Sequence, residues 1–236
     1  MSVVGRSSPT PVAHACGYDA GMTAAPSATA TLTSARILNA AVELFYKRGF
    51  RGTTIRDIVE RCGLTPGSLY VYYPSKNALL QSIVSETNRR LGQQLAIARS
   101  AAGPSASEQL AALTAAFAEF VDGNREVSLV AEIEWRHLSG QELKQVRAIR
   151  RAISEDLAEL IMNGVESGEF TLPVHADGQG GARQLSWAIL AQILGIAREP
   201  SNSAAASANA PAVFAELALR QVGYRKPTRR SAKTSA

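Results

Sequence analysis

Between Thr33 and Val222, apolar residues recur almost throughout at three- and four-residue intervals. Helices bury such a pattern on one face and strands do not, so the chain reads as all-α. The first helix starts near Thr33 or Ser34, carries Ile37, Ala40, Ala41, Leu44 and Phe45 on its apolar face, and ends at Gly49. The second is capped by Thr53 or Thr54, carries Ile55, Ile58 and Val59, and stops at Cys62-Gly63. Thr54 and Asp57 have the spacing of a capping pair across its first turn. The third is short: Thr65 caps it, Pro66 takes its first position, and Pro74 closes it after Tyr72. Ser75 then caps a longer helix from Lys76 to about Ser100. Further helices are expected at 105–122, 124–138, 141–167, 181–198 and 209–222, two of them with capping boxes, Ser105 with Glu108 and Ser139 with Glu142. The only extended candidate, Glu169–Val174, contains Pro173 and reads as a loop, and 201–211 reads as a linker.

Charge divides the same chain into modules. Residues 33–76 hold seven basic and three acidic side chains, whereas 77–222 hold twelve basic and sixteen acidic ones. A basic block ahead of an acidic body suggests two modules with different partners, the first of them anionic. Residues 1–30 have no periodicity and are expected to be a disordered tail, in which Met22 offers a second start. Residues 223–236 carry five basic and no acidic residues and read as a basic disordered tail. The expected domains are therefore 31–76 and 77–222 between these tails. With two cysteines, Cys16 and Cys62, a disulfide scaffold is excluded. No apolar run reaches the ~18–20 residues of a membrane span, so no membrane partner is expected; the expected location is cytoplasmic, with the nucleoid.

The two short helices joined through Gly63-Leu64 have the form of a helix-turn-helix. The second opens with small residues, Thr65, Pro66, Gly67 and Ser68, which allow close approach to base edges in a major groove. Tyr70, Tyr72, Tyr73 and Lys76 follow, with hydroxyl and ammonium groups suited to phosphate oxygens. Over Ile37–Val84 the sequence resembles the DNA-binding domain of TetR/AcrR-family transcriptional regulators. The resemblance lies in AAVELFYKRGF in the first helix, GTTIRDI opening the second, and CGLTPGSLYVYYPSKNALL through the third. It departs from the family at Tyr73, where Phe is common, and in its long N-terminal tail.

The resemblance implies phosphate contacts from Thr53, Thr54, Tyr70, Tyr72 and Lys76. It implies base contacts from Thr65, Pro66, Gly67 and Ser68, with Ser68 or Tyr70 discriminating. Leu69 and Tyr73 are expected to pack in the core with Phe45 and Ile58. Arg51 and Arg56 are further phosphate candidates or solvated side chains. The partners implied are a double-stranded DNA operator, a second copy of the chain and a small-molecule effector, and the activity implied is that of a repressor released by a hydrophobic or acidic effector such as an acyl-CoA. No cofactor is implied.

For the second half the residues say less. Leu185, Ile189, Ile193 and Ile196 form one stripe, and Phe214 and Leu217 another; both are candidates for a four-helix dimer interface, with an ordinary monomer core as the alternative. Phe117, Phe120, Ile133, Trp135 and His137 are candidate pocket residues, with Arg147 and Arg151 as candidate anion contacts. Arg151 can equally pair with Glu155 one turn on. Catalytic patterns are missing. His14, His137 and His175 are far apart, and no HExxH, CxxC, GxSxG or P-loop occurs, so neither an enzyme nor a metal site is expected. Gly178-Gln179-Gly180-Gly181 reads as a flexible loop. The competing function is a constitutive architectural DNA binder with no effector.

Overall fold

The computed structural model describes residues 28–173, 176, 178–198 and 209–225. The expectations for 1–27, 199–208, His175 and 226–236 lie outside the described residues. Regular structure among the described residues is helical: α1 (Ala28–Arg48), α2 (Ile55–Cys62), α3 (Pro66–Tyr72), α4 (Lys76–Ala101), α5 (Ala106–Gly123), α6 (Arg125–Glu134), α7 (Gly140–Glu166), α8 (Gly178–Leu194) and α9 (Ala210–Gln221). Single 3₁₀ turns, Trp135–His137 and Gly195–Arg198, extend α6 and α8. None of these helices is long and apolar enough to cross a membrane.

Several ends differ from the sequence reading. α1 begins at Ala28, ahead of Thr33, but its first buried side chain is Ile37, so the added turns are an extension with Leu32 exposed. The Ser105–Glu108 box forms, whereas Ser139 makes no side-chain cap. Gly140, first in α7, has φ +58, which turns the helix start away from Ser139. Gly178–Gly181 is the first turn of α8 and not a loop. A Cβ at position 181 would lie 2.0 Å from the Ala176 carbonyl oxygen, so this glycine lets the chain fold back closely.

Two apolar clusters share the molecule. The first joins Ile37, Phe45, Ile58, Leu69 and Tyr73 to Leu79, Leu80, Ile83 and Val84 of α4 and to Val130, Leu138 and Val146 from the body. The second gathers Leu91 with Leu110, Phe117, Phe120, Ile161, Ile189, Ile193 and Val222 from α5, α7, α8 and the end of α9. Along α4 the buried residues pass from the first cluster to the second between Val84 and Leu91. The long helix α4 and the short helix α6 each contribute to both clusters.

Candidate nucleic-acid interface and interior cavity

Local chemistry fixes the helix-turn-helix. The Thr54 hydroxyl accepts from the Asp57 backbone N–H, and the Asp57 carboxylate accepts from the Thr54 backbone N–H at 2.7 Å, closing the capping box of α2. These bonds from Thr54 hold the Asp57 carboxyl below the usual range. Gly63, with φ +66, ends α2 in the left-handed cap that lets the chain turn into α3. The Thr65 hydroxyl accepts from the Ser68 N–H and caps α3. Leu69 is fully buried and Tyr73 nearly so, its hydroxyl bonded to Ser34 at 2.7 Å. With one side of α3 anchored in this way, Thr65, Pro66, Gly67, Tyr70 and Val71 face outward, Tyr70 51% and Val71 81% exposed. An exposed β-branched residue on the working face was missed in the sequence, where Val71 reads as one more helix residue.

The expected phosphate contacts divide into two groups. Thr54 and Tyr70 are exposed. Thr53 is fully buried and its hydroxyl donates to the carbonyls of Leu44 and Gly49, so it fixes the turn and has no free side chain to give a phosphate. Lys76 donates to the carbonyls of Phe50 and Thr53 at 2.8 and 2.7 Å and lies 4.2 Å from the centre of the Phe50 ring. Burial lowers its ammonium pKa from the ordinary value, and the Glu134 carboxylate partly opposes that shift. Tyr72 is half-buried with its ring against the first cluster. Arg56 pairs with Glu60, Arg48 with Asp57, and both Lys47 and Arg61 with Glu43. Arg36 bonds the Cys62 carbonyl. Of the seven basic side chains in the block, Arg51 alone is exposed without a hydrogen bond or ion pair.

The body forms a cavity of about 760 Å³, open on one side, between α4, α5, α6, α7 and α8. Its apolar wall includes Leu91, Phe117, Phe120 and Val121, while Arg151, Arg183 and Trp187 stand on α7 and α8 at more exposed positions. Of the candidate pocket residues, Phe117, Phe120 and Arg151 line this cavity. Arg150, also in the lining, pairs with Glu132 at 2.5 Å. Arg151 and Glu155 both line the cavity and form no ion pair with each other.

The other expected pocket residues lie elsewhere. Ser128, Ala131 and Glu132 face the cavity, and a helix turns about 100° per residue, so Ile133 points away and is 42% exposed. Trp135 packs on the first cluster with the guanidinium groups of Arg136, Arg147 and Arg150 over its ring. The His137 ring stacks on Phe50 at 5.2 Å, and its Nε2 lies 3.2 Å from Glu134. The polar lining from Asn88, Ser128 and Arg183 escaped the sequence reading, because single polar residues on apolar helices carry no pattern.

The dimer candidates on α8 face inward. Ile189, Ile193 and Ile196 are buried in the chain's own second core, and Leu185 and Phe214 pack against it. A buried stripe has the same spacing whether it faces its own chain or a partner. What α8 and α9 leave exposed is Trp187, Val213 and Leu217.

Comparisons with known proteins agree with this arrangement. The family described as "Bacterial regulatory proteins, tetR family" matches residues 37–83, and "Tetracyclin repressor-like, C-terminal domain" matches 103–178. The transcriptional regulator UidR of Escherichia coli K12 is 41% identical over 58 residues, 25% of this chain and 30% of UidR's own length. A regulatory protein of the tetR family from Rhodococcus RHA1 superposes with a TM-score of 0.73 at 28% identity, over 82% of this chain and 98% of its own. AibR, solved with isovaleryl coenzyme A and operator DNA, shares the fold at a TM-score of 0.68 and 18% identity, over 82% of this chain and all of its own.

Proposed function

Because the chain belongs to the TetR family of bacterial regulatory proteins, we propose that it is a cytoplasmic transcriptional repressor, dimeric on operator DNA, whose hold on that DNA is loosened by a small molecule in the body cavity. The observation that carries the reading is the outward face of α3. Thr65, Pro66 and Gly67 form an exposed tip of small side chains while Leu69 and Tyr73 anchor the opposite face. On this reading Thr65 to Ser68 meet base edges, Val71 suits a thymine methyl group, and Thr54, Tyr70 and Arg51 meet phosphates. Tyr72 would reach phosphate only through its hydroxyl. Thr53 and Lys76 act indirectly, by holding the entry to α2.

The effector reading is supported by the cavity and by what connects it to α3. α6 lines the cavity with Ser128, Ala131 and Glu132 and ends at Glu134, against the corner between α1 and α2. The following 3₁₀ turn stacks His137 on Phe50 in that corner. α4 likewise runs from Lys76 at the corner to Asn88 and Leu91 at the cavity. A ligand that shifts either helix moves the α2–α3 unit, with a coupling of typically ~1–3 kcal/mol between the two sites. Arg151 and Arg183, without an ion pair among the described residues and beside an apolar wall, suit an amphipathic acid, and an acyl-CoA is one such class. A dimer through the exposed Val213 and Leu217 would present two copies of α3 to a palindrome.

The test is fluorescence anisotropy with duplexes from the DNA flanking the protein's own gene. Nanomolar binding that weakens about five- to 150-fold with one of a panel of acyl-CoAs and aromatic acids is expected. Tight binding that no such compound alters would favour the architectural binder.

A further inference from the structure

Asn88 on α4 and Ser128 on α6 line the cavity, and both residues are more than nine-tenths buried, 7% and 4% exposed. Asn88 Nδ2 and Ser128 Oγ nevertheless find no hydrogen-bond partner among the described residues. A buried polar atom left unpartnered destabilises a fold, so such atoms call for a reason outside ordinary packing. The neighbouring buried hydroxyls need none. The Thr87 hydroxyl donates to the Ile83 carbonyl at 2.7 Å, and the Ser154 and Ser186 hydroxyls bond each other at 2.9 Å. Asn88 Nδ2 and Ser128 Oγ therefore stand apart, two unmet buried hydrogen-bonding atoms in a cavity whose wall also includes Leu91, Phe117, Phe120 and Val121.

We infer that Asn88 and Ser128 form an interior hydrogen-bonding site for oxygen carried on the apolar part of the effector. The ligand class is then an oxygenated hydrocarbon body, bearing a carbonyl or hydroxyl group, and not a plain saturated chain. Asn88 Nδ2 only donates, whereas the Ser128 hydroxyl donates or accepts, so a ligand carbonyl or hydroxyl satisfies what an alkyl chain leaves unmet. The inference rests on the effector role proposed for the cavity.

Calorimetric titration with decanoyl-coenzyme A and with its mono-hydroxy and mono-oxo counterparts, substituted at successive carbons, tests it. At least one oxygenated isomer should bind the wild type about tenfold or more tightly than decanoyl-coenzyme A. In Asn88→Leu and Ser128→Ala that preference should disappear while decanoyl-coenzyme A still binds. If decanoyl-coenzyme A binds as tightly as every oxygenated isomer, the inference is overturned and the effector role of the cavity stands. If no thioester binds, both fall. A ligand-free melt guards against a purely structural role. Asn88→Leu should keep or raise the melting temperature, because it removes an unmet donor, and a marked fall would overturn the inference.

Discussion

Ile189 and Leu217 are both apolar residues on the last two helices, and the structure gives them different surroundings. Ile189 is 2% exposed inside the chain's own core, whereas Leu217 is 39% exposed on α9. Truncating a buried Ile to Ala costs ~2–5 kcal/mol, including the cavity left behind. In a chain of this length each kcal/mol lowers the melting temperature by ~2–4 °C, so Ile189→Ala should melt about 4–20 °C lower. Fully burying a Leu is worth ~1.5–3 kcal/mol, so burying only the exposed share of Leu217 is worth ~0.6–1.2 kcal/mol. A two-fold interface contains that side chain twice, which makes ~1.2–2.4 kcal/mol and about an eight- to 60-fold weaker dimer for Leu217→Ala. Sedimentation equilibrium over a dilution series reads the second effect, and thermal melts at high concentration read the first. An Ile189→Ala variant that dissociates without melting earlier would refute the assignment. So would a Leu217→Ala variant with an unchanged dimer constant.

Three further outcomes follow from the helix-turn-helix. A Cβ at Gly67 would meet nothing nearer than Thr65 Oγ1 at 3.9 Å, so Gly67→Ala should keep or slightly raise the melting temperature, and weaker operator binding by anisotropy would then report close approach to DNA. Lys76→Ala strips a donor from the Phe50 and Thr53 carbonyls and should lower stability by ~1–3 kcal/mol in a denaturant melt, whereas Arg51→Ala should spare stability and reduce the log–log salt slope of DNA binding by about one per half-site. Because the Asp57 carboxyl is held below its unfolded value, its cap stabilises above that value and is lost as pH falls through the depressed one. The stability gap between wild type and Asp57→Asn should therefore be wide near about pH 6 and narrow near about pH 3 in denaturant titrations.

What could be read in the sequence follows from what is local. The Thr54–Asp57 box, the Thr65 cap, Pro66 at the start of α3 and the Gly63 turn each depend on residues a few positions apart, and all four formed where the sequence put them. Capping failed at Ser139, where the adjacent Gly140 takes a left-handed backbone that the spacing of a capping box does not reveal. Helix faces were legible as apolar stripes, but their partners were not. The stripe through Ile189 and Ile193 meets its own core, and Trp135 and His137 turn toward Phe50 and the first core instead of the cavity. The basic block was legible as charge, yet most of it closes on neighbours such as Glu43 and Glu60, pairings that span up to eighteen residues and leave Arg51 free. Asn88 and Ser128 left no trace in the pattern because one polar residue on an apolar face looks like noise until the cavity around it is seen.

The central claim is that α3 reads a specific sequence twice, from a symmetric dimer. Selection of bound duplexes from a random pool, with wild type and Ser68→Ala in parallel, tests it most directly. The wild type should enrich a palindrome whose half-sites lie about one DNA turn apart or a multiple of it, and Ser68→Ala should change the preference at one base pair in each half by at most ~1–3 kcal/mol. Pools without a palindrome, or a variant that merely scales affinity for every sequence, would contradict it.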